Sequence, residues 1–230
     1  MEFREDIRQH FKIDLSDNQL AMFEKYFEIM IEYNKHTNLT TITEKKDVYY
    51  KHFYDSLTLT PYIEDNKKLC DMGSGAGFPS IPLKIIYPNL KVTIIDSSNK
   101  RIKFLKELIL ELNLRDITLI HDGIEVYGRR NQKQFDYVTA RALGKLNLIL
   151  EMAIPMLENR GHFLAMKGSN GKEELNESGN TLKVLKSKVI LEKTLYLPYD
   201  YGMREIYIIE KVAHVHGYPR EYKQMLKSVL

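Results

Sequence analysis

The chain has 230 residues, with 34 basic and 31 acidic side chains, one cysteine and no tryptophan. This length suffices for an apolar core without disulfides, and the single Cys70 excludes both an internal disulfide bridge and a zinc site built on cysteine pairs. The chain has no run of 18 apolar residues and no apolar segment near its start, so we expect a cytoplasmic protein without a membrane span or signal peptide.

Charge is distributed unevenly along the sequence. Residues 1–60 carry 8 basic and 11 acidic side chains, a balance of −3, whereas residues 61–150 carry 14 and 10 and residues 151–230 carry 12 and 10. A basic body behind an acidic front permits a nucleic-acid partner, although charge alone favours an ordinary lysine-rich solvated surface.

The first 60 residues predict helices only. An amphipathic stretch covers residues 2–12, and a longer helix over 16–36 begins at a capping box formed by Ser16 and Gln19. A third helix is predicted over 46–60 and ends near Pro61. We therefore expect residues 1–62 to form an N-terminal helical cap on a domain of residues 63–230.

From about residue 68, short apolar runs alternate with helical patterns. Strands are predicted at 68–72, 91–95, 117–120, 135–139 and 162–166, and helices at 98–112 and 146–157. This alternation predicts an α/β fold with a parallel sheet covered by helices on both faces. Two further β-rich runs, 188–197 and 204–211, flank a hairpin-like turn, which predicts one antiparallel strand.

A glycine loop, Asp71-Met72-Gly73-Ser74-Gly75-Ala76-Gly77-Phe78-Pro79, follows the first strand, and Asp96 ends the second. Glycines let a backbone pass close to a ligand, and an acid at the end of the second strand can accept hydrogen bonds from ribose hydroxyls. The spacing is G-x-G-x-G rather than the dinucleotide pattern G-x-G-x-x-G, and the sequence has no phosphate-binding P-loop motif. The pattern therefore favours S-adenosylmethionine over a nicotinamide cofactor.

Six ordered motifs resemble the bacterial 16S rRNA (guanine-N7)-methyltransferase G family. They are residues 33–40 (YNKHTNLT), His52 with 55–57 (DSL), 71–83 (DMGSGAGFPSIPL), 96–105 (DSSNKRIKFL), 135–142 (FDYVTARA) and 167–168 (KG). The resemblance covers nearly the whole chain. It implies a class I S-adenosylmethionine-dependent methyltransferase, with a Rossmann-like seven-stranded sheet and an N-terminal helical extension.

The resemblance also implies a set of cofactor-binding residues. Gly73 and Phe78 would contact the cofactor around the glycine loop, with Gly75, Gly77 and Asp96 from the same motifs. Ile124 and Glu125 would flank the adenine, and Arg141 would lie between cofactor and substrate with a possible orienting role. The reaction implied is methylation of a guanine N7 in the decoding-region loop of 16S rRNA. Since N7 has a lone pair and no proton, no acid–base residue and no metal is assigned.

The substrate implied is 16S rRNA or the small ribosomal subunit, bound by a monomer. Candidate RNA contacts are Lys100, Arg101, Lys103, Arg129, Arg130, Lys167 and Arg220, and Asn38, His52, Asp55 and Ser56 are expected to dock the cap near the site or to touch the substrate. Gly123 replaces a family arginine, and residues 223–229 lack the family's glycine and prolines, which favours a helical tail. A small-molecule methyltransferase and a non-catalytic module that binds S-adenosylmethionine and RNA remain alternatives.

Overall fold

Seven strands form one sheet in the computed structural model, which describes residues 2–230. The order across the sheet is β3-β2-β1-β4-β5-β7-β6. Strands β1 to β5 pair in parallel, and β7 runs antiparallel to both β5 and β6. The strands are β1 (Lys68–Met72), β2 (Lys91–Asp96), β3 (Ile117–His121), β4 (Phe135–Arg141), β5 (Leu157–Lys167), β6 (Ser187–Tyr196) and β7 (Met203–Lys211).

Helices cover both faces of the sheet, as the sequence predicts. The α-helices are α1 (Glu2–Phe11), α2 (Asp17–Thr37), α3 (Lys45–Val48), α4 (Asp55–Leu57), α5 (Ser80–Ile86), α6 (Asn99–Glu111), α7 (Ile124–Arg130), α8 (Leu146–Met156), α9 (Gly171–Glu177), α10 (Gly179–Val184) and α11 (Tyr222–Lys227). Short 3-10 turns occupy Thr60–Tyr62 and Pro198–Asp200. The helix α11 confirms the prediction of a helical tail.

The predicted third helix is divided in the structure. Between α3 and α4, residues Tyr49–Tyr54 form a π-helix, and the chain then turns before a 3-10 segment. Five of the six π-helical residues are buried: Tyr49, Tyr50, His52, Phe53 and Tyr54. The wider turn lets this aromatic segment bury side chains in more than one direction, which a single amphipathic α-helix does not do.

Two apolar clusters lie on the two faces of the sheet, because strand side chains alternate in direction. On β4, Tyr137 belongs to the first cluster and Val138 to the second. The first cluster combines the helices before residue 63 with α5 and α6, and the second contains α8 and the C-terminal tail. The division of the chain at residues 62 and 63 stays a prediction.

Cys70 points into the second cluster and is buried, and burial raises the pKa of its thiol well above the ordinary value. Because the thiolate is the reactive form, this environment makes Cys70 an inert core residue. Among residues 2–230, the structure contains no helix with the length and apolar character required to cross a membrane.

Candidate active site

The glycine loop links β1 to α5 and lies beside the end of β2. Gly73, Gly75 and Gly77 all have positive φ angles, which glycine adopts without the steric cost of a side chain. The Gly73 amide donates to the carbonyl of Ile95 at 2.8 Å. The Asp96 carboxylate is buried and accepts the amides of Gly75 at 3.2 Å and Ser98 at 2.8 Å. The loop and the acid predicted from sequence therefore meet at the carboxyl edge of the sheet.

Asp71, at the end of β1, is fully buried beneath this loop. Its Oδ2 accepts the Ser80 amide at 3.2 Å, whereas Oδ1 is buried without a hydrogen-bond partner among the described residues. Burial raises the pKa of Asp71 to about 6, against the lowering effect of hydrogen bonds from Ser80 and Ser74. An unpartnered carboxylate oxygen two residues before Gly73 fits the cationic amino-acid part of S-adenosylmethionine.

Phe78 forms the far side of the loop and belongs to an aromatic stack. Its ring lies parallel to Tyr26 of α2 at 5.5 Å and to His52 of the π-helix at 4.5 Å between centroids. The Tyr26 hydroxyl donates to the Ala76 carbonyl. A β-carbon at Gly77 would lie 2.6 Å from that hydroxyl, so only glycine permits this approach of cap and loop.

Arg141, the last residue of β4, joins the sheet to the cap. Its Nη1 donates to the Lys51 carbonyl and to Asp55 Oδ2, both at 3.0 Å, and its Nη2 lies 3.0 Å from His52 Nδ1. The guanidinium carbon lies 5.0 Å from the centre of the Phe78 ring. Arg204, at the start of β7, donates to the other oxygen of Asp55 at 3.1 Å. Two arginines from the sheet therefore hold one buried carboxylate of the cap.

His52 joins this network through both ring nitrogens. Its Nδ1 lies 3.0 Å from Arg141 Nη2 and 3.1 Å from the Lys51 carbonyl oxygen, and its Nε2 lies 3.2 Å from Thr40 Oγ1. Thr40 is held in turn by two hydrogen bonds with the Asn34 side chain, each 3.0 Å long. Burial, together with the charge of Arg141, lowers the pKa of His52 to about 3, so the imidazole is neutral at pH 7.

Two cavities meet at Arg141. The smaller, of about 140 Å³, is lined by the glycine loop and by Leu39 and Thr40 of the cap. The larger, of about 640 Å³, lies at the ends of β4 and β5 and is lined by Lys51, Asp55, Lys167, Glu174 and Arg204 among others. His52, Arg141 and Ala142 line both. The guanidinium therefore separates a space beside the glycine loop from a larger polar space.

Ile124 and Glu125 begin α7, directly after β3. Ile124 packs against the second apolar cluster, and the Glu125 carboxylate lies near Gly123. They line neither cavity at Arg141. The sheet order places Arg141, the glycine loop, Asp96 and Ile124 along one edge, at the ends of β4, β1, β2 and β3. Three strand spacings give this row a length of about 14 Å, which suits an extended nucleoside ligand.

The candidate RNA-binding residues lie in different environments. Lys100, Arg101 and Lys103 are exposed on the first turns of α6, next to the glycine loop, and Arg101 pairs with Asp96 at 3.3 Å. Arg129 and Arg130 end α7, away from its first residue at the carboxyl edge. Lys167 is paired with Glu174 at the large cavity, and Arg220 is bound to buried Glu151. The structure thus brings only part of this set to the carboxyl edge.

Sequence reasoning missed several residues of the site, including Tyr26, Lys51, Glu174 and Arg204. Arg204 carried a usable signal: an antiparallel strand begins at the edge where its parallel neighbours end, so a charged first residue of such a strand faces the ligand edge. Tyr26 carried none, because it occupies an ordinary apolar position of an amphipathic helix.

Comparison with known proteins identifies the family. Residues 19–196 match the family model described as rRNA small subunit methyltransferase G. The chain is 46% identical over 220 residues to ribosomal RNA small subunit methyltransferase G of Acholeplasma laidlawii, covering 95% of each chain. It is 45% identical over 232 residues to the protein of the same name from Staphylococcus carnosus, covering 98% of this chain and 96% of the relative.

Solved structures agree on the fold. M. jannaschii TYW2 in complex with AdoMet superposes with a TM-score of 0.56 at 16% identity, covering 76% of this chain and 80% of that one. TrmN from Thermus thermophilus gives 0.55 at 15% identity, covering 69% and 48%. The predicted Rossmann-like fold is confirmed by these structures, and the predicted methyltransferase class by the family match. The chain belongs to the rRNA small subunit methyltransferase G family.

Proposed function

We propose that this protein transfers a methyl group from S-adenosylmethionine to N7 of a guanine in the decoding-region loop of 16S rRNA, presented as rRNA or within the small ribosomal subunit. The names of its relatives support the RNA substrate. The observation that carries the proposal is the 640 Å³ cavity that adjoins the glycine loop at Arg141. Extruded bases enter active-site pockets when an enzyme modifies them.

The cofactor would lie along the carboxyl edge of β4, β1, β2 and β3. The cofactor would lie against the backbone of Gly73, Gly75 and Gly77, with Phe78 on the side of the cap. Asp71 would face its amino group and Asp96 its ribose hydroxyls, since both are carboxylates at strand ends. Ile124 and Glu125 would border the adenine, and Arg141 would lie where cofactor and base meet.

The chain's part in the reaction is positioning. S-adenosylmethionine supplies a methyl group on a positively charged sulfur, and the guanine N7 supplies the lone pair, so no proton has to be removed. Arg141 is held by contacts with the Lys51 carbonyl, Asp55 and His52 and can orient the base without moving. Neutral His52 adds no positive charge beside the sulfonium. Orientation of two reactants can supply about 7–11 kcal/mol of the barrier to a bimolecular reaction.

The test uses methyl-labelled S-adenosylmethionine and small subunits, or 16S rRNA, that lack the modification. We expect label on one guanine of the decoding-region loop and none when that guanosine is replaced by 7-deazaguanosine, which lacks only the N7 nucleophile. Absence of label under conditions where the protein binds S-adenosylmethionine contradicts the proposal. Label on small metabolites instead of RNA supports the small-molecule alternative.

We propose that the RNA is bound by the exposed basic residues Lys100, Arg101 and Lys103, which lie beside the glycine loop. Phosphate contacts of this kind position a nucleic acid without reading its sequence. The monomeric state and the cytoplasmic location stay predictions.

A further inference from the structure

A carboxylate and an ammonium group form one wall of the large cavity. Lys167 is the last residue of β5, and Glu174 lies on α9, which follows shortly after β5. Both line the 640 Å³ cavity together with Arg141. Their charged groups are 2.6 Å apart, with the Lys167 side chain 8% exposed and that of Glu174 21% exposed. The pair is therefore nearly enclosed but open to the space in which a base would lie.

The two oxygens of Glu174 differ in their contacts. Oε2 accepts the Leu146 amide at 2.7 Å and the Lys167 ammonium at 2.6 Å. Oε1 receives no hydrogen bond from residues 2–230 and is not a buried atom. Lys167 also donates to the Gly144 carbonyl at 2.6 Å, which leaves one of its three N–H groups. A fixed carboxylate with one free acceptor oxygen thus faces the cavity.

Burying the Lys167–Glu174 ion pair costs desolvation free energy, which apolar side chains at the same positions would not cost. A structural role is available, because the pair ties the loop after β4 to α9 through Leu146 and Gly144. That role uses only Oε2 and leaves Oε1 free to accept a hydrogen bond from a ligand.

Guanine presents a matching edge. Its N1–H and 2-amino groups are adjacent donors on the side of the purine away from N7, and the acceptor O6 lies between N1–H and N7. Along the carboxyl edge the order is β1, β4 and β5, so the glycine loop and Lys167 are two strand spacings apart, about 10 Å. A purine whose N7 faces the glycine loop past Arg141 directs its N1 and 2-amino groups toward the end of β5.

We propose that Glu174, positioned by Lys167, recognises the N1–H and 2-amino edge of the target guanine and so selects guanine over other bases. This inference rests on the proposed function, and it adds the group that reads the base. A carboxylate that pairs with two donors rejects bases that lack them, since its own desolvation is then uncompensated.

The test compares 16S rRNA carrying guanosine or inosine at the methylated position, because inosine lacks only the 2-amino group and keeps N7. For the wild-type protein we expect kcat/KM to be about 10- to 100-fold lower with inosine, the range for loss of one hydrogen bond to a charged group. In Glu174→Gln, methylation of guanosine falls, and the ratio between the two RNAs shrinks to about 3-fold or less. Glu173→Gln, an exposed neighbour on α9, should retain the wild-type ratio.

Equal methylation of the two RNAs by the wild-type protein overturns the inference. So does an unchanged ratio in Glu174→Gln, because a purely structural defect lowers both rates together. Equilibrium binding of the same RNAs with S-adenosylhomocysteine gives the ratio without methyl transfer. If no RNA is methylated, the proposed function fails. The inference then still stands if the wild-type protein prefers guanosine in binding and Glu174→Gln does not, and it fails if both proteins bind the RNAs equally.

Discussion

Two arginines in this molecule make nearly the same contacts and belong to different regions. Arg141 binds buried Asp55 of the cap, and Arg220 binds buried Glu151 of α8 through Nε at 2.8 Å and Nη2 at 2.7 Å. Arg220 also donates to the Ser228 carbonyl, so its guanidinium holds the C-terminal tail against α8. Only Arg141 lines the two cavities beside the glycine loop. The contacts of an arginine–carboxylate pair therefore do not show whether the pair belongs to an active site or only holds two segments together. The cavity beside the pair does.

The largest expected effect is that of Arg141→Ala. We expect a loss of at least about 100-fold in kcat/KM for rRNA methylation, because a fixed group between cofactor and base is removed. Stability should fall as well, since Asp55 keeps only Arg204 as an ionic partner. Rates are therefore measured on the folded fraction, determined by circular dichroism. Normal turnover together with normal cofactor affinity would refute the role of Arg141.

Arg220→Ala should affect stability alone. Breaking a buried ion pair costs about 3 kcal/mol, which corresponds to a decrease in Tm of about 5–10 °C for a domain of this size. Calorimetry gives the shift, and kcat/KM on folded protein should remain within about 2-fold of the wild-type value. A selective loss of RNA affinity at unchanged Tm would instead favour the interpretation of Arg220 as an RNA contact.

Alanine substitutions at two glycines of the loop distinguish the stability that comes from contact with the cap from the cost of a positive φ angle. Gly77→Ala places a β-carbon 2.6 Å from the Tyr26 hydroxyl and 2.8 Å from Ile81, whereas Gly75→Ala meets no atom within 4 Å. Both have positive φ, so each costs about 1 kcal/mol of backbone strain, and Gly77→Ala should lose about 1–2 kcal/mol more. Urea denaturation measures both. Equal losses would show that the cap yields readily at Tyr26.

A pH dependence of stability is expected from His52. Its folded pKa of about 3 lies below the unfolded value of 6.5, so the unfolded state binds a proton first as pH falls. The contribution of His52 to the free energy of unfolding therefore decreases by about 1.4 kcal/mol per pH unit between 6.5 and 3.

Asp71 acts in the opposite direction. Its folded pKa of about 6 lies above its ordinary value of 3.8, so the folded state binds the proton first as the pH falls through that range. The free energy of unfolding of the wild-type protein therefore depends less steeply on pH. The contribution of His52 is obtained as the difference in this free energy between the wild-type protein and His52→Gln. We expect this difference to shrink with acidification below pH 6.5; a difference that is constant with pH would contradict a neutral, buried imidazole.

Much of the sheet followed from sequence because its signals are local. The runs at 91–95 and 135–139 are apolar and bounded by turns, and the observed strands Lys91–Asp96 and Phe135–Arg141 extend them by one and two residues. The predicted run at 162–166 is less complete: the strand begins at Leu157, where polar residues and a left-handed Arg160 hide the pattern.

The contacts of the site were less accessible, because they join residues distant in sequence. Asp55 meets Arg141 and Arg204 across separations of 86 and 149 residues. No spacing rule links such positions, and only the assembled sheet brings them to one edge. The π-helix was also missed, since its aromatic residues satisfy the pattern of an ordinary amphipathic helix.

The hydrogen bond from Tyr26 to Ala76 has a consequence for synthesis. The two residues are 50 positions apart, and the stack on Phe78 completes the same contact. While a ribosome makes the chain, α2 emerges well before the loop and before Phe104 of α6, against which Tyr33 packs at 5.1 Å. Part of the apolar face of α2 must therefore remain without its partners until more than a hundred residues have been translated. The glycine loop therefore reaches its final conformation only when α2 packs against it.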